Sequence, residues 1–481
     1  MGLQVNGRNV TAMRFNGRDA VEARCNGSVV WPVGSPGAEG LKFVAEEAGS
    51  TITLKVNKYY SGMSYTIPTL EYTTDDGYTW TEFSCNNAPK ITLQQVGDAV
   101  YFRGDNISFG KYLPAVDGYR YVYTAFVMSG KISCIGNIEY LRNKNGDVSP
   151  ISEYCYYGLF ASCSSLTSAP VLPATALNSG CYMYMFYNCK NLENAPELPA
   201  IVMAKSCYHS MFFGCLAIKN PPILQSVSLE TYCYASMFEG CTGLLVPPEL
   251  PSTVLAGACY YSMFAECSKL ERAPSLPALT IPSDAYYNMF CNCIALTSCP
   301  ELPATSLGTN CYYRMFYGCT GIRTTPELPA RSIPRCGYQE MFYGCTSLET
   351  ASYIAATSCG ERGCESMFSY CVSLTQVPDL LATSILGYGY NKMFYHCESL
   401  EIGPDIFGNS ARYAWYIQMF IGCKLLKYVK VHMTSWHSSP GWGNGYWMDG
   451  VAATGTFVCP STLPQTFDAS HIPPGWTVET F

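Results

Sequence analysis

The sequence of 481 residues predicts a solenoid of the α/β class: eleven 26-residue coils of short parallel strands and short helices, preceded by an all-β domain. Three observations carry that reading. The dipeptide Met-Phe begins at Met185, Met211, Met237, Met263, Met289, Met315, Met341, Met367, Met393 and Met419, with Leu159-Phe160 one step earlier, every spacing being 26 residues. Four residues after each of these stands a Cys, from Cys163 and Cys189 through to Cys397 and Cys423. Most copies then run into Pro-x-Leu-Pro-Ala, as at 196–200 and 326–330. A fixed period of this length marks stacked units, none of which can bury its apolar face alone.

In chain order, residues 1–34 carry Asn-Gly at 6–7, 16–17 and 26–27, which predicts a leader of tight hairpins and a candidate docking segment. Residues 35–147 show strand alternation, as in Ser50-Thr51-Ile52-Thr53-Leu54-Lys55-Val56, with frequent turn signals, and predict a β-sandwich-like domain. Within them, Thr73-Thr74-Asp75-Asp76-Gly77-Tyr78-Thr79-Trp80 resembles the Asp-box hairpin of sialidase propellers. A single copy reads as a structural hairpin.

Residues 148–432 hold the coils. At about 100° per residue, Cys181, Tyr182, Met185, Phe186 and Cys189 fall on one stripe, while the slots of Met183, Tyr184 and Tyr187 vary, so an amphipathic helix is expected over 181–189. The Pro-x-Leu-Pro segment is expected to form the opposite wall with Leu172, Leu198 and Leu250 inward. Its strands must be short, because proline lacks the ladder donor. Eleven coils at about 4.8 Å each would give a rod on the order of 50 Å long. Residues 433–481 break the period and hold Trp436, Trp442, Trp447 and Trp476, a predicted C-terminal cap.

Composition narrows the function classes. The net charge is −7 with 14% charged residues and no Lys/Arg cluster, which argues against nucleic acid as a partner. No apolar run of membrane-spanning length occurs, so no membrane insertion is expected. The 26 cysteines invite a disulfide or metal reading. On a helix, however, Cys181 and Cys189 would lie about 12 Å apart, beyond bridging distance. There is no Cys-x-x-Cys, and only His209 and His396 accompany the repeats, so no metal site and no cofactor are expected, and the thiols read as small buried packing groups. No nucleophile elbow, phosphate loop or His-Glu-x-x-His motif points to an enzyme.

Two surface features are candidate binding sites. Glu301, Glu327, Asp379 and Asp405 recur between Pro and Leu and would form an acidic strand stripe, either a cation or recognition site or a solvated face. Tyr287, Tyr313, Tyr317 and Tyr343 occupy outward slots on neighbouring coils, a ligand-binding patch suited to sugar rings or protein surfaces unless the helical register is rotated.

The unit Met-Phe-x-x-Cys-x-x-Leu-x-x-x-Pro-x-Leu-Pro-Ala resembles the BspA-type leucine-rich repeats over roughly residues 150–432. That resemblance implies an α/β leucine-rich-repeat solenoid of the kind found in surface proteins of gut Bacteroidales, mycoplasmas and protists. The sequence departs from the pattern in its 26-residue coils, its Pro-rich strand and its late copies, where Gly337, Gly363, Gly389 and Trp415 replace the second Cys. The whole layout, ending in Gly450–Phe457 and Ile472–Val478, looks like proteins of crAss-like gut phages. This implies a phage virion structural or appendage protein (head or tail fibre, or decoration). Its N-terminal region would bind other virion proteins, its solenoid would contact host surface polysaccharide or protein, and the whole would be a homo-oligomer. Met1-Gly2-Leu3-Gln4-Val5-Asn6-Gly7 lacks a secretory apolar run, which favours a virion assembled in the host cytoplasm over the alternative, a bacterial cell-surface adhesin of the BspA type.

Overall fold

The computed structural model describes residues 38–481 apart from 59–64, 116–117, 409–414, 437–444 and 469, without the side chains of 58, 114, 115 and 118–120; of residues 1–37 it describes the backbone of short strands alone. Those strands pair as three antiparallel hairpins: β1 (Gln4–Val5) with β2 (Arg8–Asn9), β3 (Arg14–Phe15) with β4 (Arg18–Asp19), and β5 (Ala23–Cys25) with β6 (Ser28–Trp31). The Asn-Gly pairs that would close them lie outside the described residues.

The β-domain follows with β7 (Leu41–Ala45), β8 (Ser50–Lys58), β9 (Thr69–Thr73), β10 (Thr81–Ser84), β11 (Ile91–Leu93), β12 (Ala99–Arg103), β13 (Gly110–Ala115), β14 (Gly118–Ser129) and β15 (Ile132–Ile135). One sheet has the order β10-β9-β12-β7-β15 and the other β11-β8-β14-β13. Alternation buries Leu41, Phe43 and Ala45 from one sheet against Ile52, Leu54 and Phe126 from the other. Phe126 lies 4.9 Å from Phe43 and 5.5 Å from Phe102 between ring centroids. The Thr73–Trp80 segment joins β9 to β10. There the Asp75 carboxylate accepts from Thr73 Oγ1 at 2.6 Å, the Thr79 amide at 2.9 Å and Thr79 Oγ1 at 2.6 Å, a closed turn network.

The first sheet does not stop at β15. Strand β16 (Leu166–Ser168), from the first coil, joins it in parallel, and Phe126 stacks on Phe160 at 5.2 Å. The β-domain therefore covers the open end of the first coil, as a stacked repeat requires.

No α-helix occurs among the described residues, and this corrects the helical part of the predicted fold. The Met-Phe segment of each coil is a ribbon of overlapping turns. Alternate amides close turns within a coil, as Tyr157 to the Tyr154 carbonyl at 3.1 Å and Leu159 to Tyr156 at 3.2 Å. The amides between them cross to the next coil, as Tyr156 to Cys181 at 2.8 Å and Gly158 to Met183 at 3.0 Å. Among the described residues, those one, five and nine before a ladder Cys take positive φ, for example Asn310, Arg314 and Gly318 before Cys319. Two of every four side chains thus point inward, a period of four. Over nine residues that is nearly indistinguishable from 3.6. A helix would have kept its amides to itself, whereas the ribbon uses half of them to join the coils.

The walls also differ in place from the expected strands. Leu172, Leu198 and Leu250 are buried, but prolines limit the Pro-x-Leu-Pro wall to single bridges such as Leu328 with Ile354. Two-residue ladders form just beyond it: β17 (Thr280–Ile281) with β18 (Ser306–Leu307), and β19 (Ser332–Ile333) with β20 (Ser358–Cys359) and β21 (Ser384–Ile385). Residues 433–481 extend the stack. Strands β22 (Ile402–Ile406), β23 (Tyr428–Val431), β24 (Thr456–Cys459) and β25 (Thr477–Thr480) form one parallel sheet, and Trp447 lies 5.9 Å from the last Phe of the ladder, Phe420.

The core is a set of side-chain ladders. Successive rings from Phe160 to Phe420 lie 5.3–5.9 Å apart. Those from Tyr156 to Tyr338 lie 5.7–6.0 Å apart. Each ladder Cys is buried; Cys163 donates its thiol to the Phe126 carbonyl of β14, and each later one donates to a Phe carbonyl of the preceding coil, as Cys189 to Phe160 at 3.1 Å and Cys319 to Phe290 at 3.0 Å. In the late coils the strand residue packs against the glycine that replaces the second Cys: a Cβ on Gly337 would lie 2.9 Å from Ile333 Cγ2, and one on Gly363 would lie 2.6 Å from Cys359 Sγ.

Candidate functional site

The outward face of the turn ribbon gathers side chains from the slots two, five and six residues before each ladder Cys. The inter-coil hydrogen bonds fix these slots in register, so equal positions on neighbouring coils must meet. Tyr287 stacks on Tyr313 at 4.6 Å and 15°, and Tyr261 on Tyr287 at 4.6 Å and 7°. Tyr317 stacks on Tyr343 at 4.8 Å and 2°. The structure thus brings the four predicted tyrosines together as two short rows.

Arg314 joins the rows. Its guanidinium lies 5.1 Å from the Tyr313 ring and 5.2 Å from the Tyr317 ring, and its Nε donates to Glu340 at 2.7 Å. The rings are half-buried and spend their faces on one another, so they present edges and hydroxyls rather than open platforms. Burial pushes the Tyr313 and Tyr261 phenols up to about 12, so both stay neutral hydrogen-bonding groups.

The acidic stripe divides in two. Glu301 and Glu327 are exposed and line a shallow depression of about 540 Å³ with Cys299, Thr325 and Ser352. Asp379 accepts the Asp405 amide at 3.1 Å. Asp405 itself is paired with Lys430 at 2.6 Å, and His432 Nε2 lies 2.8 Å from its other oxygen. Its charge is therefore spent within the chain. No three metal-ligating side chains gather anywhere among the described residues.

Sequence reasoning missed a second aromatic cluster beside the β-domain, because Tyr184, His209 and Phe213 come from three different slots of the ribbon. It also missed the inter-coil ion pairs of the late coils, such as Arg323 with Glu349 and Lys427 with Glu401 at 2.6 Å. Their 26-residue spacing was the available signal.

No protein-family model matches the sequence, and no curated protein is detectably similar to it.

Proposed function

We propose that the chain is a non-catalytic recognition protein of a bacteriophage virion, an appendage or decoration whose solenoid contacts host surface polysaccharide or protein. The observation that carries this reading is the ribbon face, where stacked tyrosines and their hydroxyls repeat on a frame locked by hydrogen bonds between coils. Such a face is pre-organised: little side-chain entropy remains to be lost on contact, and Tyr and Arg dominate recognition surfaces for that reason. The N-terminal hairpins serve to dock the chain on other virion proteins, and several copies act together.

Gold-labelled antibody against the chain, viewed on purified particles by electron microscopy, tests the assignment. Label on the particle surface supports it. Label on the bacterial envelope with bare particles would instead favour the BspA-type adhesin.

A further inference from the structure

The ribbon face is closed along most of its length by its own side chains. Between the tyrosine rows of the middle coils, Asn288, Arg314 and Glu340 fill the slot five before the ladder Cys. Nearer the β-domain the same slot holds Ser210 and Ser236, and a concave cleft of about 530 Å³ opens above them. Its walls are aromatic. Tyr187 and Phe213 stack at 4.9 Å and 14° on one side. Tyr184 stands edge-on to Tyr157 (5.5 Å, 77°), to Tyr187 (5.5 Å, 79°) and to His209 (5.5 Å, 83°). Tyr184 sits at φ +57°, as the other residues of its slot do, and its ring lies edge-on to its neighbours, whereas the rings of slots two and six stack in parallel further along.

The polar content of the cleft is specific. It has the side chains of Ser162, Ser210, Ser236 and four tyrosines with no ammonium or guanidinium in its lining, and the Glu239 carboxylate, outside the lining, accepts from the Ser236 hydroxyl. His209 lines the cleft with its Nε2 3.5 Å from the Tyr184 hydroxyl, while its Nδ1 is buried away from the cavity without a hydrogen-bond partner among the described residues. Burial lowers the His209 pKa to about 4, so the ring is neutral at physiological pH. Such a volume lies within the usual range of about 300–1,000 Å³ for small-ligand sites.

We propose that this cleft binds an uncharged sugar unit, its C–H face against the Tyr187–Phe213 and Tyr184 rings and its hydroxyls on Ser162, Ser210 and Ser236. A sialate, uronate or phosphate would surrender its hydration to a cleft that offers no cation, which excludes the anionic classes. The inference rests on the glycan arm of the function proposed above and gives it a site and a ligand class.

Calorimetric titration of the full chain with neutral oligosaccharides of glucose, galactose, mannose and N-acetylglucosamine, and with sialylated and uronate-containing counterparts, tests it. The expected result is saturable binding of a neutral oligosaccharide, one per chain, and none of the anionic set. Two variants keep the backbone: Ser236→Asn plugs the cleft with the residue found at the same slot in Asn288, and Tyr184→Gly suits positive φ. Each should weaken binding by about tenfold or more with the thermal midpoint of Ser236→Asn unchanged, since losing a central aromatic contact costs on that order. Absence of neutral-sugar binding, tighter binding of an anionic sugar, or unchanged affinity in both variants would overturn the inference. Unlabelled particles alongside intact sugar binding would instead sink the virion reading alone. Labelled particles with a cleft that binds no sugar would leave that reading standing without this site.

Discussion

Replacing Gly240 by Ala separates the turn ribbon from a helix by the sign of the effect. Gly240 precedes ladder Cys241 and has φ +72°, and a Cβ there would meet nothing nearer than Gly214 at 3.7 Å. No steric clash with neighbours therefore enters, and the backbone conformation decides the outcome. A residue with a Cβ costs about 1–2 kcal/mol in the left-handed region. The narrower unfolded ensemble of Ala returns about 0.4–1 kcal/mol. The net expectation is a destabilisation of about 1 kcal/mol. Adding Gly344→Ala, four coils away with φ +72°, should roughly double it, because the two sites share no partner. In a helix the same changes would stabilise by about 0.5–1 kcal/mol each.

The reciprocal change is Ala258→Gly. Ala258 sits at φ +54°, so Gly should come out near neutral, relief of the backbone offsetting a lost methyl worth about 0.8 kcal/mol. Urea unfolding followed both by fluorescence and by far-ultraviolet dichroism reads these differences, two probes being needed because a solenoid can unfold coil by coil. A Gly240→Ala protein more stable than its parent would refute the ribbon.

Three further outcomes follow from the core and the cleft. Cys293→Ala removes the thiol that donates to the Phe264 carbonyl at 3.1 Å; that carbonyl keeps the Cys267 amide, so the loss is one hydrogen bond and one sulfur's packing, about 2 kcal/mol by thermal or urea melting, with Cys293→Ser milder because it restores a donor. The folded-state pKa of His209 is about 4 against 6.5 unfolded; the unfolded chain binds the extra proton between those values, so stability falls as pH drops from 6.5 towards 4, by up to about 3 kcal/mol, and His209→Gln should flatten that part of a midpoint-versus-pH curve. Arg314→Ala uncouples the two tyrosine rows and breaks a partly exposed ion pair with Glu340, a loss of less than about 1 kcal/mol that shrinks at high salt in the same melts.

What the sequence made legible was whatever the 26-residue period controls. Equal slots had to meet, so Tyr287 and Tyr313, or Tyr317 and Tyr343, were correctly placed together, and Leu172, Leu198 and Leu250 correctly faced inward. The helix was misread because inward pairs at Cys181-Tyr182 and Met185-Phe186 repeat every four residues, which a nine-residue window cannot separate from 3.6. A discriminating signal was present: Gly214, Gly240, Gly318, Gly344 and Gly422, with Asn188 and Asn292, share the slot before the ladder Cys, and these are the residue types that tolerate positive φ. Burying their faces on one another is a consequence of the ribbon's short inter-coil distance, so the open tyrosine platform could not survive the wrong backbone. The fate of Asp405 was equally hidden, since Lys430 and His432 reach it from a neighbouring strand in a segment where the motif fades.

The claim that the ribbon face is a recognition surface is tested most directly by the binding of the fluorescently labelled full chain to gut Bacteroidales cells with and without their surface polysaccharide. The parent protein should bind the coated cells saturably and the stripped cells weakly. A variant combining Tyr287→Ser, Tyr313→Ser, Tyr317→Ser and Tyr343→Ser with Ser236→Asn, checked for retained fold by dichroism, should lose that binding. Undiminished binding by the folded variant, or no difference between coated and stripped cells for the parent, would contradict the account.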